Sequence, residues 1–159
     1  METIKSFTVN HLNLLTGLYV SRIDRVGGDG VVTFDLRMTR PNEEPVMDTA
    51  AVHAIEHLGA TYLRNRPDWG SRIVYFGPMG CRTGFYMIVA GDCAPEDVFP
   101  LVKDMLSFIV SFEGEIPGAA AVQCGNYLDM NLSMAKYHAR KYLREVFEKP
   151  DKARLSYPE

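Results

Sequence analysis

Two histidines four residues apart are the residues in this chain whose types and spacing most clearly suggest chemistry. If the stretch is helical, His53 and His57 lie one turn apart on one face, and both rings can point to a common centre. Glu56 lies near the edge of that face. Two neutral imidazoles beside a carboxylate are typical of a transition-metal site with an acid/base group. Histidines at this spacing also occur on solvated helix faces without any ligand.

A catalytic metal site normally has three protein ligands and one open position, so the histidine pair needs a third ligand. The candidates are a cysteine or a carboxylate, and we favour Cys124, which lies beside Gly125 before a predicted helix. Cys81 then remains free to act as an acid/base group together with Glu56. It follows a Gly-Pro-Met-Gly turn, and the neighbouring Arg82 could lower the pKa of its thiol.

The helix that carries the histidines is predicted at about residues 48–65. Asp48 or Thr49 can cap its first turn, and Pro67 stops the helical pattern. Apolar residues recur at helical spacing and predict a buried stripe beside the two histidines. The stripe consists of Val52, Ile55, Leu58, Gly59, Tyr62 and Leu63. The sequence therefore predicts a metal site at the rim of the core.

The remaining elements alternate between strand and helix patterns. Four segments rich in β-branched and aromatic residues predict strands, at residues 17–24, 31–38, 71–77 and 85–90. Two segments with helical spacing predict helices at residues 95–112 and 129–147. Cys93 is expected to be an inert thiol, and His138, among charged neighbours, is expected at the surface.

The composition is that of a globular protein and excludes several classes of function. The chain has 159 residues, of which 47% are hydrophobic, and we expect one domain over residues 1–159 with a polar tail at 148–159. A net charge of −3 without long charged runs argues against nucleic acid as a partner. No apolar run approaches ~20 residues, so no membrane span is expected. The N-terminal residues lack the pattern of a secretory signal, and three cysteines do not make a disulfide framework, so we expect a cytoplasmic protein.

Several short motifs, in this order along the chain, resemble those of the S-ribosylhomocysteine lyase family, the LuxS-type enzymes of autoinducer-2 synthesis. Together they span roughly residues 6 to 145, and their combination is far more specific than any single one. They are Ser6-Phe7-Thr8-Val9 before His11, Phe34-Asp35-Leu36-Arg37, Pro41-Asn42, His53-x-x-Glu56-His57-Leu58, the segment from Pro78 through Cys81 to Tyr86, and Gln123-Cys124-Gly125-Asn126-Tyr127.

The resemblance implies an α+β fold, with a four-stranded antiparallel sheet packed by about four helices in a single domain. It also implies a homodimer in which both subunits shape each active site. Fe(II), one per subunit, would be bound by His53, His57 and Cys124. The ligand types alone do not select iron, because zinc suits such a set at least as well, and zinc or cobalt are possible substitutes.

The reaction implied by the resemblance is cleavage of a carbon–sulfur bond. S-ribosylhomocysteine is split into homocysteine and 4,5-dihydroxy-2,3-pentanedione, the autoinducer-2 precursor of quorum sensing, as a step linked to the activated methyl cycle. Glu56 and Cys81 match the family's general acid/base pair. Ser6, His11 and Arg37 match positions that contact the ribose end of the substrate.

The chain departs from the common family pattern at three places. Asn10 stands where many members have aspartate, and Ala54 replaces a common threonine. Tyr75-Phe76-Gly77 precedes Pro78 where some members carry Asp-Ile-Ser. In those members the aspartate helps to bind the amino-acid end of the substrate, so different contacts to the homocysteine half are expected here.

Two other functions are compatible with parts of the pattern. H-x-x-E-H is also the signature of inverzincin-type metallopeptidases, in which Glu56 would activate water and Glu113 or Glu115 could be the third ligand. That interpretation leaves Cys81 and Cys124 without a role. A non-catalytic domain with a structural metal is the other alternative, but a closed site usually has four protein ligands and only three are evident.

Overall fold

A four-stranded antiparallel sheet with strand order β1-β2-β4-β3 lies at the centre of the fold. The computed structural model describes residue 4 and residues 7–158. The strands are β1 at Gly17–Val26, β2 at Asp29–Arg37, β3 at Ile73–Pro78 and β4 at Gly84–Ala90. Each strand begins and ends within two residues of its predicted bounds. The predicted α+β class and the four antiparallel strands are confirmed.

The turn between β1 and β2 is a tight hairpin connection made by two glycines. Val26 pairs with Asp29, which leaves only Gly27 and Gly28 between the strands. Both have positive φ, 59° and 97°. A two-residue hairpin loop with positive φ at both positions matches the twist of the flanking strands, and glycine adopts it without steric cost.

The central strand β2 is buried on both of its faces. Phe34 and Leu36 point into the apolar core, whereas Asp35 and Arg37 alternate with them and are also buried, at 1% and 4% exposure. The register pairs Arg37 with Gly84, the first residue of β4. This pairing places the Arg37 guanidinium beside the β3–β4 turn that contains Cys81.

Three α-helices pack on the sheet and on each other in the described part of the chain. They are α1 at Thr49–Arg64, α2 at Pro95–Ser111 and α3 at Leu132–Tyr142. The sequence predicted a longer last helix ending at residue 147. In the structure the α-helical ladder ends at Tyr142, and a π-helical turn, Leu143–Phe147, continues the chain. None of these helices is long and apolar enough to span a membrane.

Helix α1 begins and packs as predicted. The Asp48 carboxylate accepts a hydrogen bond from the Ala51 amide at 2.9 Å and so caps the first turn. The predicted stripe is buried except for Tyr62, which is partly exposed and lies against Phe108 at 5.1 Å between ring centroids. The face next to this stripe carries His53 and His57, both half-buried.

The sequence predicted His138 at the surface, and this prediction is wrong, because the residue is buried. It is 7% exposed, on the side of α3 that also buries Ala135, Ala139 and Tyr142. Burial lowers the pKa of His138. The two lysines and the arginine beside it in the sequence suggested a solvated face, but α3 turns this face toward α1 and α2.

The C-terminal segment, residues 151–158, lies against β1 and β2. Arg154 donates a hydrogen bond to the Thr16 carbonyl at 2.6 Å. The Arg154 carbonyl approaches the backbone of Gly17 so closely that a Cβ at that position would overlap with it. This segment covers the second face of β2, which explains why Asp35 and Arg37 are buried.

We expect Gly59→Ala to lower the free energy of unfolding although alanine is the better helix former. An added Cβ would overlap with the ring of Phe76, which is buried and stacked on Phe85 at 5.2 Å between centroids. The propensity gain is about 1 kcal/mol, whereas overpacking typically costs about 1–3 kcal/mol. Urea denaturation would measure a net loss of about 1 kcal/mol.

Gly80→Ala is the matched control for this substitution, since a Cβ there has no neighbour within 4 Å. Its unfolding free energy should stay within about 0.5 kcal/mol of the wild type. If Gly59→Ala were more stable than the wild type, close packing of α1 on β3 would not be what fixes the helix.

Candidate metal centre and active site

His53, His57 and Cys124 come together at the rim of the core, as the sequence predicted. Their candidate ligand atoms all lie within 4.8 Å of one another. Cys124 Sγ lies 3.4 Å from His53 Nε2. Metal–nitrogen bonds of about 2.0–2.1 Å and metal–sulfur bonds of about 2.3 Å in a tetrahedral site place ligand atoms at about this separation. The three residues therefore fit a single transition-metal ion.

Both imidazoles are oriented by backbone carbonyls on the side away from the centre. His53 Nδ1 lies 3.0 Å from the Asp129 carbonyl, and His57 Nδ1 lies 2.7 Å from the Pro117 carbonyl. A proton on each Nδ1 completes these hydrogen bonds and leaves each Nε2 with a free lone pair. Such outer hydrogen bonds fix the ring tautomer and raise the basicity of the ligand nitrogen.

The loop between α2 and α3, residues 112–131, carries the third ligand and both carbonyls. Gly118 has a φ of 78°, and a side chain there would crowd His57. The Cys124 amide bonds the Ala120 carbonyl at 2.9 Å, and the Asn126 amide donates to Cys124 Sγ at 3.4 Å. The backbone of the loop therefore holds the sulfur in place.

Glu56 lies on α1 between the two histidine ligands in sequence and is half-buried. Its backbone position is fixed by the same helix that positions the ligands. The same helix therefore carries Glu56 and both histidines, with Glu56 one residue before His57.

Cys81 lies in the β3–β4 turn at a second polar site. The turn includes Arg82 in the left-handed region, at φ 59°, and leaves Cys81 exposed. Cys81 Sγ lies 3.1 Å from Thr83 Oγ1 and 3.9 Å from Arg37 Nη1. The same Arg37 nitrogen donates to Thr83 Oγ1 at 2.6 Å. The oxygen of Thr83 thus accepts from Arg37, and its hydrogen is available to the sulfur.

The pKa of the Cys81 thiol is lower than that of an ordinary cysteine. Burial acts to raise this pKa, but hydrogen bonds from Thr83 and the positive charge of Arg37 outweigh the effect. The sequence suggested Arg82 for this role, but the positive charge that lowers the pKa of the thiol is that of Arg37. The arginine responsible lies 44 positions away along the chain and reaches the thiol through the β2–β4 register.

Cys81 opens onto a cavity of about 500 Å³ that contains two of the predicted substrate-binding residues. His11 and Arg37 both line it, and His11 Nδ1 lies 2.8 Å from the Val9 carbonyl. The full lining is His11, Arg37, Pro41, Asn42, Glu43, Glu44, Pro45, Val46, Cys81 and Thr83. Ser6, the third predicted contact, lies outside the described residues.

The metallopeptidase alternative requires a glutamate as third ligand, and neither candidate glutamate belongs to the described group that can hold an ion. Among the described residues, the group that can hold an ion consists of His53, His57 and Cys124, without Glu113 or Glu115. Both glutamates are exposed in the loop after α2. This arrangement does not favour the metallopeptidase alternative, because the third group beside the two histidines is a thiol.

Comparison with known proteins identifies the family. The family model described as S-Ribosylhomocysteinase (LuxS) matches residues 4–153. S-ribosylhomocysteine lyases of Clostridium acetobutylicum and Finegoldia magna are 58% and 57% identical, each over 100% of both chains. The S-ribosylhomocysteine lyase of Borreliella burgdorferi is 49% identical over 99% of this chain and 100% of its own. With its His53/His57/Cys124 centre in place, the chain belongs to the S-ribosylhomocysteinase (LuxS) family.

Proposed function

We propose that this protein is a metal-dependent carbon–sulfur lyase that cleaves the thioether of S-ribosylhomocysteine. The observation that carries the proposal is the pairing of a His/His/Cys metal centre with a separate, acidified thiol at Cys81. A lyase of this kind needs a Lewis acid and groups that move protons at carbon, and these two sites offer both. The similarity to relatives named S-ribosylhomocysteine lyase extends over the full length of the chain, and it supports the same substrate.

The reaction is an internal redox rearrangement followed by β-elimination, and it needs no external oxidant. Opening the ribose ring exposes an aldehyde at C1. Proton transfers between adjacent carbons move the carbonyl to C2 and then to C3. Loss of the C4 proton then expels the C5 sulfur as the homocysteine thiol, which receives a proton. The products are homocysteine and 4,5-dihydroxy-2,3-pentanedione, and together they contain all atoms of the substrate.

Glu56 and Cys81 are proposed as the groups that move these protons. The lowered pKa of Cys81 gives it a larger thiolate fraction than an ordinary cysteine has at the same pH, so the sulfur is the better placed of the free thiols to remove a proton from carbon and return it. Glu56 lies on α1 beside the ligand histidines and can serve the carbons and hydroxyls nearest to the metal centre. His11, Arg37 and Ser6 are proposed to bind the ribose end, where His11 and Arg37 share the cavity of Cys81.

We propose that His53, His57 and Cys124 hold one Fe(II) per subunit, with zinc or cobalt as substitutes. Two imidazoles and one thiolate are three protein ligands, the number that a catalytic metal site normally has. When bound, such an ion acts as a Lewis acid that polarises a carbonyl and stabilises negative charge on its oxygen. Glu56 and Cys81 would then act on carbon acids that the ion has made more acidic.

We propose a homodimer with shared active sites because the Cys81 cavity and the metal centre are lined by different residues of one subunit. The cavity at Cys81 is lined by Arg37, Thr83, His11 and loop 41–46, and no metal ligand is among these described lining residues. The metal centre is built instead by α1 and the loop at residues 112–131. If a partner's thiol cavity faced this metal centre, a two-fold axis would complete both sites at once.

Exposed apolar side chains flank each half-site and support the same assembly. Phe7 and Leu12 are 75% and 72% exposed near His11, and Val122 and Leu128 are 92% and 80% exposed on the loop of Cys124. Such large apolar side chains clustered at a surface mark protein–protein contacts. In an isologous interface, Phe7 and Leu12 of one subunit would pack near the loop of the other subunit that carries Cys124.

The product suggests a place in cell physiology. We propose that the enzyme supplies the autoinducer-2 precursor for quorum sensing and returns homocysteine to the activated methyl cycle. We also propose a cytoplasmic location, where its three free thiols would stay reduced.

The metal assignment predicts the outcome of a cysteine exchange. Protein purified without oxygen should contain about one equivalent of metal per subunit, and Cys124→Ala should lose most of it, because two imidazoles alone bind weakly. Cys93→Ala is the matched control and should keep its metal, since Cys93 lies two residues before α2 and is not part of the group that can hold an ion. Metal content would be measured by elemental mass spectrometry. Full metal retention in Cys124→Ala would contradict the proposed ligand set.

The acid/base assignment predicts that Cys81 is the more reactive of two thiols in the same molecule. Burial raises the pKa of Cys93, whereas that of Cys81 is lowered. As pH falls from 9 toward 6, the thiolate of Cys93 should therefore be lost first. Iodoacetamide at pH 7 should modify Cys81 at least about tenfold faster, as located by peptide mass spectrometry. Equal rates would contradict an activated Cys81.

The shared-site proposal and the lyase activity can be tested in one assay. Wild-type protein should release thiol from S-ribosylhomocysteine, whereas Cys81→Ala and Glu56→Gln should each lose about 100-fold or more in kcat with metal retained. Dissociating and reassociating an equal mixture of the two variants should restore about a quarter of the wild-type rate, because half of the dimers are mixed and each carries one intact site.

Three results of this assay are distinct. No turnover by folded, metal-loaded wild type would overturn the lyase assignment. Turnover by the wild type without recovery in the mixture would place Glu56 and Cys81 in the same subunit's site. Full activity of either single variant would remove that residue from the acid/base pair.

A further inference from the structure

The buried face of β2 carries a continuous chain of hydrogen bonds that begins in the C-terminal segment and ends at the Cys81 sulfur. Tyr157 donates its hydroxyl to Asp35 Oδ2 at 2.9 Å. Arg37 Nη2 donates to the same oxygen at 2.6 Å. Arg37 Nη1 donates to Thr83 Oγ1, which lies 3.1 Å from Cys81 Sγ. Tyr157 and Arg37 donate to Asp35, and Arg37 also donates to Thr83, whose hydroxyl hydrogen is then available to the sulfur. This arrangement favours the thiolate form of Cys81.

The Asp35 carboxylate has few hydrogen-bond donors besides the Tyr157 hydroxyl. Its carboxylate is buried, and its second oxygen, Oδ1, has no partner among the described residues. Burial raises the pKa of Asp35, whereas the hydrogen bonds from Arg37 and Tyr157 act to lower it. Loss of the tyrosine hydroxyl would leave a buried carboxylate with a single donor, which is a costly arrangement.

Tyr157 is itself held firmly, although it lies near the end of the chain. Its ring stacks on Tyr19 with 4.9 Å between centroids and an interplanar angle of 15°. Tyr19 in turn donates to the Leu15 carbonyl at 3.0 Å, and Arg154 donates to the Thr16 carbonyl. The hydroxyl is therefore presented to Asp35 by a packed segment.

We propose that Tyr157 is a positioning residue for Cys81: its hydroxyl fixes the Asp35 carboxylate, and through it the Arg37 guanidinium and the Thr83 hydroxyl that face the sulfur. The guanidinium is planar and rigid, so fixing Nη2 on Asp35 also fixes the direction of Nη1. The C-terminal segment thus has a role in the chemistry of a thiol in a distant turn. This role rests on the proposed acid/base function of Cys81.

Other groups near Cys81 are independent of Tyr157. His11 from the N-terminal segment, Glu43 and Glu44 from loop 41–46, and Tyr86 from β4 lie around the same cavity or act on the same charges. A phenylalanine at position 157 changes none of them and keeps the ring that stacks on Tyr19. A change in the behaviour of Cys81 in Tyr157→Phe would therefore come through Asp35 and Arg37.

The test compares Tyr157→Phe with Tyr137→Phe, which removes a hydroxyl from an exposed tyrosine of α3. The first readout is the pH profile of Cys81 alkylation by iodoacetamide, located by peptide mass spectrometry. The second is kcat and KM for thiol release from S-ribosylhomocysteine, and the third is the thermal unfolding midpoint.

In Tyr157→Phe the apparent pKa of the Cys81 thiol should rise by about half a unit to one unit, toward the ordinary value. The value of kcat should fall about threefold to tenfold with a smaller change in KM. Tyr137→Phe should match the wild type in all readouts.

An unchanged alkylation profile in Tyr157→Phe would overturn the proposal, even if the unfolding midpoint fell, because the hydroxyl would then contribute only stability. A shift of the thiol pKa to lower values would also overturn it, since Arg37 would then act as a freer cation without Tyr157. The alkylation readout needs no turnover. A shifted profile in a protein that does not cleave S-ribosylhomocysteine would therefore support the positioning role and contradict only the proposed reaction.

Discussion

The packing of α1 on the sheet is the constraint on which the rest of the structure depends. Gly59 lets the helix approach the ring of Phe76 closely, and this contact fixes both the rotation and the height of α1. Because the histidines lie beside the buried stripe, fixing the stripe also fixes the direction of both rings. The loop at residues 112–131 then only has to bring one sulfur and two carbonyls to a helix face that is already in place. A metal centre built in this way is set by core packing before any ion binds.

The parts that the sequence could predict are those that depend on local spacing. The strands, α1 and the His53/His57 pair follow from periodicities of 2 and 3.6, and the capping residue Asp48 follows from its side-chain type. Contacts made across the fold were not accessible in this way. Backbone carbonyls such as that of Pro117 carry no side-chain signal. The arginine that acts on Cys81 was misassigned to Arg82, because only the β2–β4 register brings Arg37 to the turn.

The burial of His138 was also not predictable from its neighbours in the sequence. Its neighbours in sequence are charged, yet helical geometry turns it to the face that α3 buries with Ala135 and Ala139. The family resemblance supplied a ligand set and an acid/base pair that spacing alone left open. It did not supply the hydrogen bonds that orient them, because those involve main-chain atoms and residues far apart in the sequence. Recognition of a family therefore identifies the reacting groups, whereas the structure is needed to explain their reactivity.

The two halves of the site are held by different physical means, and this difference fits their chemistry. A metal centre tolerates exposed surroundings, since ligand bonds are strong and the rings are fixed by two short hydrogen bonds to carbonyls. A thiolate base needs a fixed positive field, and a mobile surface arginine would provide little of it. Burying Arg37 with Asp35 beneath the C-terminal segment solves this problem, because the pair is removed from water and its charge is less screened. Each hydrogen bond to the buried pair from a further residue reduces the cost of removing its two charges from water. Tyr157 supplies one such hydrogen bond, so the segment that looks least informative in the sequence helps to keep the guanidinium directed at the thiol.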